Sequence, residues 1–441
     1  MRLAFLIALS LFMTQAMAKI ESFTLSNGLK VVVKEDHRAP VVVSMIWYNV
    51  GSADEPGGIT GISHVLEHLM FKGTPAYPQG QFSQIIAAAG GQENAFTYYD
   101  YTAYFEKTAA SHLAVNLALE ADRMQNLQFN PASFEKEMAV IKEERRLRTD
   151  DNPKALTFER FLATAHLTDP YHHPVIGWME DLNTMKLEDA KAWYENFYTP
   201  NNATLVVVGD IDTEQVHTLS ENAFGSIKRH PDFIRKQQIE PKALGEKTTA
   251  VYAEAQLPLL IMGYTVPSLV TTHNPKEAYT LEVIAALLDA GDSGRLTQQL
   301  IKKQKLATDL EASYSLYSRY QTQFSLLGIP AAGHTIPELK NALLKELNRL
   351  SEIKVSEEEL SRVKTALIAE KTFEKDSIFE QAMEIGLLET LGLGYQTAEQ
   401  YAKNIQSITT EDINMIAKQY FVPHALTSAQ LYPRPFAKEH P

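Results

Sequence analysis

The pentapeptide His64-Val65-Leu66-Glu67-His68 places three chemically competent side chains within five positions. On an α-helix of 3.6 residues per turn, His64 and His68 stand one turn apart on the same face and can offer imidazole nitrogens to one metal ion. Glu67 projects beside that pair. Two neutral imidazoles, a carboxylate and an open water position make a catalytic zinc site, and a second carboxylate nearby can take a proton from the water. The order H-x-x-E-H inverts the commoner H-E-x-x-H. The chain has no cysteine, so disulfides and thiolate chemistry are excluded and any metal must sit on His, Asp or Glu.

A third ligand has to come from elsewhere. Asn130-Pro131 reads as a helix start, with Asn as cap and Pro at the first helical position. The helix it opens offers Glu135, Glu137, Glu143 and Glu144. Glu137 and Glu144 lie two turns apart and share a face, so one could bind metal while the other anchors a ligating histidine. The same glutamates also fit a solvated face paired with Lys136, Lys142, Arg145 and Arg146, and spacing alone does not choose between the two accounts.

The elements that position these residues are legible in outline. Ile20–Leu25, an Asn27-Gly28 turn and Leu29–Val33 read as a hairpin, followed by a strand over Val41–Tyr48. A glycine-rich loop over Gly51–Gly61 leads into the histidine helix, Ile62–Phe71, which Gly73 closes. Leu205–Gly209 is a short buried-strand signal. Lys228–Lys247 is polar, proline-bearing and weakly periodic, as expected of a linker. Glu188, Asp189, Pro200 and Thr204 recur as Glu411, Asp412, Pro423 and Thr427, all at one offset (411 − 188 and 427 − 204 both give 223). An offset near half the chain predicts two duplicated halves rather than a solenoid.

With 441 residues, 45% hydrophobic and 22% charged, the chain has the composition of a globular protein of two or more domains. A formal charge of −13 excludes the basic footprint that nucleic-acid binding requires. Arg2, the apolar run Leu3–Met13 and the small-residue pattern ending at Ala18 predict a secretory signal over residues 1–18. No later stretch approaches the roughly 20 apolar residues of a membrane span. An exported, periplasmic location is therefore expected. His172-His173 reads as a loop pair, not a second metal site, and Gly392-Leu393-Gly394 lacks the context of a phosphate loop. Tyr98, Tyr99, Tyr101 and Tyr104 read as a strand surface, some of which could line a cleft.

The run His64–His68 continues as Leu69-Met70-Phe71-Lys72-Gly73-Thr74. Together with Gly90–Thr97, Glu137–Glu144 and Tyr198–Asn202, it resembles the pitrilysin and insulinase family of zinc peptidases, especially its mitochondrial processing peptidase-like branch. The resemblance covers essentially the mature chain. It implies an α+β fold: two homologous α/β roll domains, each an antiparallel-rich sheet with helices packed on one side, at 19–230 and 249–441, joined by a linker at 231–248. It implies one Zn2+ per chain held by His64, His68 and Glu144, with Glu143 a rival one residue away. Glu67 would be the general base and Glu137 a residue behind the ligands. Asn94, Ala95, Phe96 and Thr97 would bind the backbone of an unfolded peptide by edge pairing. The implied activity is metalloendopeptidase cleavage of internal bonds inside a chamber.

The sequence departs from the family at one place. Self-sufficient members carry an Arg and a Tyr seven residues apart in the second half, thought to hold the substrate carbonyl. Aligning Arg295-Leu296 and Leu306-Ala307 puts Ile301 and Thr308 at those positions. An apolar Ile cannot donate to an oxyanion, and losing such a donor lowers turnover by roughly 10²–10³. The expectation is a zinc-bearing subunit of a heterodimer whose paralogous partner supplies the Arg/Tyr pair. The alternative is a non-catalytic peptide-binding or assembly subunit of the same fold.

Overall fold

The computed structural model describes residues 20–434 except 237. The expected signal segment, 1–18, lies outside the described residues. The first half builds one sheet from β1 (Ile20–Thr24), β2 (Lys30–Glu35), β3 (Val41–Tyr48), β4 (Gln92–Thr97), β5 (Thr102–Ala109) and β6 (Ala203–Gly209), in the order β1-β2-β6-β3-β5-β4. The second half builds another from β7 (Lys247–Glu254), β8 (Leu259–Val266), β9 (Ala307–Ser313), β10 (Thr322–Pro330) and β11 (Leu426–Arg434), in the order β7-β11-β8-β10-β9. In each, one parallel pair, β2 with β6 and β7 with β11, sits in an otherwise antiparallel sheet. Apart from β1, the two sheets match strand for strand.

The offset of 223 recurs in the elements themselves. Helix Leu187–Phe197, the 3-10 turn at Pro200 and β6 at Ala203 are repeated as helix Thr410–Tyr420, the turn at Pro423 and β11 at Leu426. Between Phe224 and Lys247 no helix or strand is formed among the described residues, and β7 begins two residues ahead of the 249 expected from sequence.

Strand alternation explains how each sheet is covered. On the first sheet Val31, Val33, Ile46, Tyr48, Leu205 and Val207 face the helices of their own half. Val32, Met45, Trp47, Val206 and Val208 face the other way and would be exposed if the half stood alone. They are instead buried under Ala382 and Ile385 of the helix Ile378–Thr390, which comes from the second half. The exchange is mutual. Helix Pro153–Ala165 of the first half crosses to lie on β7, β8 and β11, burying Phe161 and Ala165 against Ile261, Leu327 and Ala429. Helices of its own half thus pack on one side of each sheet, as expected, and a borrowed helix seals the other.

The two crossing helices solve the same packing problem with the residues reversed. Trp47 of β3 lies opposite Thr204 of β6, and Gly263 of β8 lies opposite Thr427 of β11, so Trp47 and Gly263 occupy equivalent strand positions. Trp47 is received by Gly386 of its borrowed helix, whereas Gly263 receives Phe161 of its own. A Cβ built on Gly386 would come within 2.0 Å of the Trp47 ring, and one on Gly263 within 2.5 Å of Phe161. Gly386→Val is accordingly expected to destabilise the chain by roughly 1–3 kcal/mol through overpacking, a fall in melting temperature of roughly 1–4 °C. An unchanged melting curve would mean that the helix does not seat on Trp47.

Candidate metal centre

The histidine helix, Ile62–Leu69, is held at its N-terminus rather than capped by its own side chains. Gly61 adopts φ +87°, and a Cβ there would meet the Ile176 carbonyl at 2.6 Å, so only glycine lets the loop of 174–177 come this close. Buried Glu55 accepts from the Gly61 amide at 2.6 Å and the Ser63 amide at 2.9 Å. Val65, Leu66 and Leu69 anchor the helix in the core, which leaves His64, Glu67 and His68 along its edge. The imidazole rings of His64 and His68 stand 4.8 Å apart.

The glutamate helix runs Pro131–Arg145 and is capped by Asn130, whose side chain accepts from the Ala132 and Ser133 amides. Phe134, Met138 and Ile141 bury one face. Its phase against the histidine helix distinguishes the four glutamates. Glu144 Oε2 lies 3.9 Å from His64 Nε2 and 3.5 Å from His68 Nε2. Glu143 points outward, its side chain 58% exposed and paired with Arg146. Glu137 Oε2 is 3.3 Å from His68 Nδ1, and Lys72 holds its other oxygen at 2.7 Å. Glu135 is exposed.

His64, His68 and Glu144 are one of two groups among the described residues whose ligand atoms lie within 4.8 Å of one another; the other, Glu35, His37 and Asp212, includes two exposed members. The donor set fits zinc on its own chemistry. At Zn–N and Zn–O bonds of about 2.0–2.1 Å, tetrahedral ligands sit about 3.3 Å from one another, and the observed separations are too long for hydrogen bonds and close to that edge. Burial, reinforced by His68, holds the His64 pKa down to about 3, so its ring is neutral and its lone pair free for a metal. Burial also raises the Glu67 carboxyl above its usual range, opposed by the 2.5 Å hydrogen bond from Thr97.

That bond joins the helix to β4, the edge strand of the first sheet, paired only with β5. Ala95 packs toward the core of the histidine helix, while Phe96 turns the opposite way onto Trp47 and Tyr101. Asn94 is exposed, its Oδ1 accepting from the Ala95 amide. All four residues border a cavity of about 640 Å³ that also contains His64, Glu67, His68 and Glu144.

Several residues at this cavity were not singled out from sequence. Arg148 reaches Glu144 Oε1 at 2.9 Å from a π-helical turn, Arg146–Asp150, that prolongs the glutamate helix. His172 and His173, read from sequence as a loop pair, end and follow the 3-10 turn Pro170–His172 and line the cavity wall. The ion pair of buried Arg145 with Glu159, with a further bond to the Gly177 carbonyl at 2.7 Å, ties that wall to the glutamate helix. Arg148 stands one helical turn from Glu144, a spacing visible in the sequence, whereas the contacts of Arg145 with Glu159 and Gly177, 14 and 32 residues away, have no local signal. Ile301 and Thr308 stand in the second half, Ile301 packed against its core and Thr308 exposed on β9.

Comparison with known proteins accords with this geometry. Residues 30–177 match the model of the insulinase family (peptidase family M16), and residues 184–367 that of the "peptidase M16 inactive domain". A zinc protease PqqE of Helicobacter pylori is 33% identical over 94% of this chain and 93% of its own. A protein of Rickettsia felis described as an "uncharacterized zinc protease" is 26% identical over 91% and 95%. Among solved structures, a protease from Helicobacter pylori superposes with a TM-score of 0.89 at 30% identity, covering 94% of this chain and all of that one. The periplasmic protease PqqL from Escherichia coli shares the fold at a TM-score of 0.77 and 21% identity, this chain spanning 48% of it. A matched two-sheet architecture, an inverted histidine motif facing Glu144 and a one-third identical zinc protease together establish that the chain belongs to the pitrilysin/insulinase family of peptidases, family M16.

Proposed function

We propose that the chain is an exported, periplasmic zinc metalloendopeptidase that hydrolyses internal bonds of unfolded peptides. It is read as the zinc-bearing subunit of the processing peptidase-like branch, its two duplicated halves joined by a linker at 231–248. The observation that carries this reading is the convergence of His64, His68 and Glu144 beside Glu67 and an edge strand in one cavity. Zinc held by those three residues would polarise the scissile carbonyl and acidify a water. Glu67 accepts the proton of the attacking water on its carboxylate and returns it to the leaving amine. Thr97 fixes the orientation of that carboxylate. Glu137 holds His68 Nδ1 and thereby turns Nε2 toward Glu144. The open edge of β4, Asn94–Thr97, pairs with the substrate backbone and lays the peptide across the site.

Metal content separates the two rival glutamates. Glu144→Ala is expected to lower zinc affinity by more than the roughly 10–100-fold that loss of an outer partner costs, while Glu143→Ala keeps it. Metal analysis after dialysis against a competing chelator reads the difference, and the opposite ranking would move the third ligand to Glu143.

The chamber is read as a heterodimer with a paralogous chain. Ile301 and Thr308 supply no donor equivalent to an Arg/Tyr pair, so the partner would contribute one. Mixing the mature chain with that paralogue should raise cleavage of a long quenched peptide by roughly 10²–10³. A lone chain as fast as the mixture would refute the split site and leave the peptidase. Silence in every mixture with zinc bound would favour the non-catalytic peptide-binding subunit, the reading that Ile301 and Thr308 support.

A further inference from the structure

A second cavity, of about 530 Å³, lies where the two halves meet. It shares Tyr99, Phe158 and Leu162 with the cavity of the metal centre, so the two spaces adjoin. Its first-half wall is the turn after β4, with Tyr98, Tyr99 and Tyr101, and its second-half wall is the loop after β9, with Tyr314 and Tyr317. Tyr98 stacks on Tyr101 at 5.7 Å and 14° while remaining 57% exposed, which presents an aromatic face toward solvent.

The cavity also contains polar side chains that are incompletely bonded. His166 and Gln323 are 3% and 7% exposed. Gln323 Nε2 donates to Thr265 Oγ1 at 2.9 Å and lies 3.3 Å from His166 Nε2. His166 Nδ1, Gln323 Oε1 and the Tyr317 hydroxyl are buried with no hydrogen-bond partner. The lining thus combines aromatic rings with the polar side chains of Ser315, Ser318 and Gln323, which suits an occupant that is apolar in body and polar at its tip.

We propose that this junction cavity binds a tyrosine or tryptophan side chain of the peptide substrate, at a position beyond the residues flanking the cleaved bond. The aromatic walls supply faces and edges to a ring, and the polar side chains of the lining meet its hydroxyl or indole N–H. The reach is short: Thr97 and Tyr99 are separated by at most roughly 7 Å of chain, so an extended peptide along β4 arrives at the tyrosine turn about two residues past Thr97. Because both halves form the walls, Tyr317 acts as a specificity residue for a site whose metal lies in the first half.

The proposal rests on the peptidase reading, and its test uses binding so that the two can fail separately. Labelled peptides in which one tyrosine is walked through an alanine-rich sequence are titrated, by fluorescence anisotropy, against the full zinc-loaded chain carrying Glu67→Gln, alone and with the paralogous partner. Tyrosine at one position away from the bond should bind roughly tenfold or more tighter than alanine there, and leucine should fall between. Tyr317→Ala should bring the tyrosine-to-alanine ratio near one. Ser315→Trp, at an exposed position on the rim, should do the same by filling the mouth, and keeps the test valid if Tyr317→Ala does not fold. Phe373→Ala, an exposed aromatic away from the cavity, should keep the ratio. A ratio near one in the unsubstituted cavity, or one that survives both variants, would overturn the proposal. Cleavage by the chain with Glu67 intact is measured in parallel: binding selectivity without cleavage in any mixture would sink the peptidase reading and leave the pocket.

Discussion

Glu67→Gln should lower kcat/KM for an internally quenched peptide by roughly 10²–10⁴, the usual contribution of a positioned general base, while the zinc content stays unchanged. The glutamine keeps the volume of the side chain and can still accept the Thr97 hydrogen bond, so the histidine helix and β4 remain in place. What it loses is the ability to take a proton from water. Burial makes the native carboxyl a stronger base than an exposed one, which matches the task. Paired measurements of turnover and bound metal distinguish the outcomes. Retained activity would remove Glu67 from the mechanism, and loss of metal together with activity would mean that it helps to hold the ion.

Arg123→Leu should produce the largest loss of stability, about 3–5 kcal/mol, seen as a fall in melting temperature of roughly 3–6 °C. Arg123 is 2% exposed on the helix Leu113–Asn126, and its guanidinium forks onto Glu120, with Nε to Oε2 at 2.8 Å. Its Nη2 lies 3.6 Å from Glu106 Oε1, and the planar group sits 4.4 Å from the centre of the Tyr104 ring and 4.5 Å from that of Phe82. Two fully buried carboxyls thus share one cation. Burial and the neighbouring Glu120 push the Glu106 pKa well above its ordinary value, opposed by the charge of Arg123. Removing Arg123 takes the cation away from two buried carboxyls in a medium that cannot solvate them. The double substitution Arg123→Leu with Glu120→Leu should recover most of the loss, because an apolar replacement of a whole buried pair is often neutral. If the single and double variants melt together, the pair is not the source of the effect.

How much of this was legible in the sequence depends on the range of each interaction. A helix sets the angle between His64, Glu67 and His68 within two turns, so five residues sufficed to read one shared edge and the chemistry suited to it. The repeat at 223 residues predicted duplicated halves, and the same offset reappears in helix, turn and strand. Alternation within β3 and β6 was visible as apolar runs, but not that their outer faces are sealed by a helix from the other half. That covering depends on Gly386 meeting Trp47 across more than 300 residues, a contact with no local signature.

The site divides along the same line. Sequence by itself determined which side chains could do chemistry, that any metal must lack thiolate ligands, and that the glutamate helix begins at Asn130-Pro131. Tertiary structure alone decided which glutamate faces the histidines. A one-residue step turns a helical side chain by about 100°, and only the burial of Phe134, Met138 and Ile141 fixes the rotation that brings Glu144 inward and sends Glu143 to Arg146. The second cavity, beside Tyr99, exists only once both halves are packed, because Tyr98–Tyr101 and Ser313–Ser325 on its walls are more than 200 residues apart and no spacing along the chain encodes that meeting.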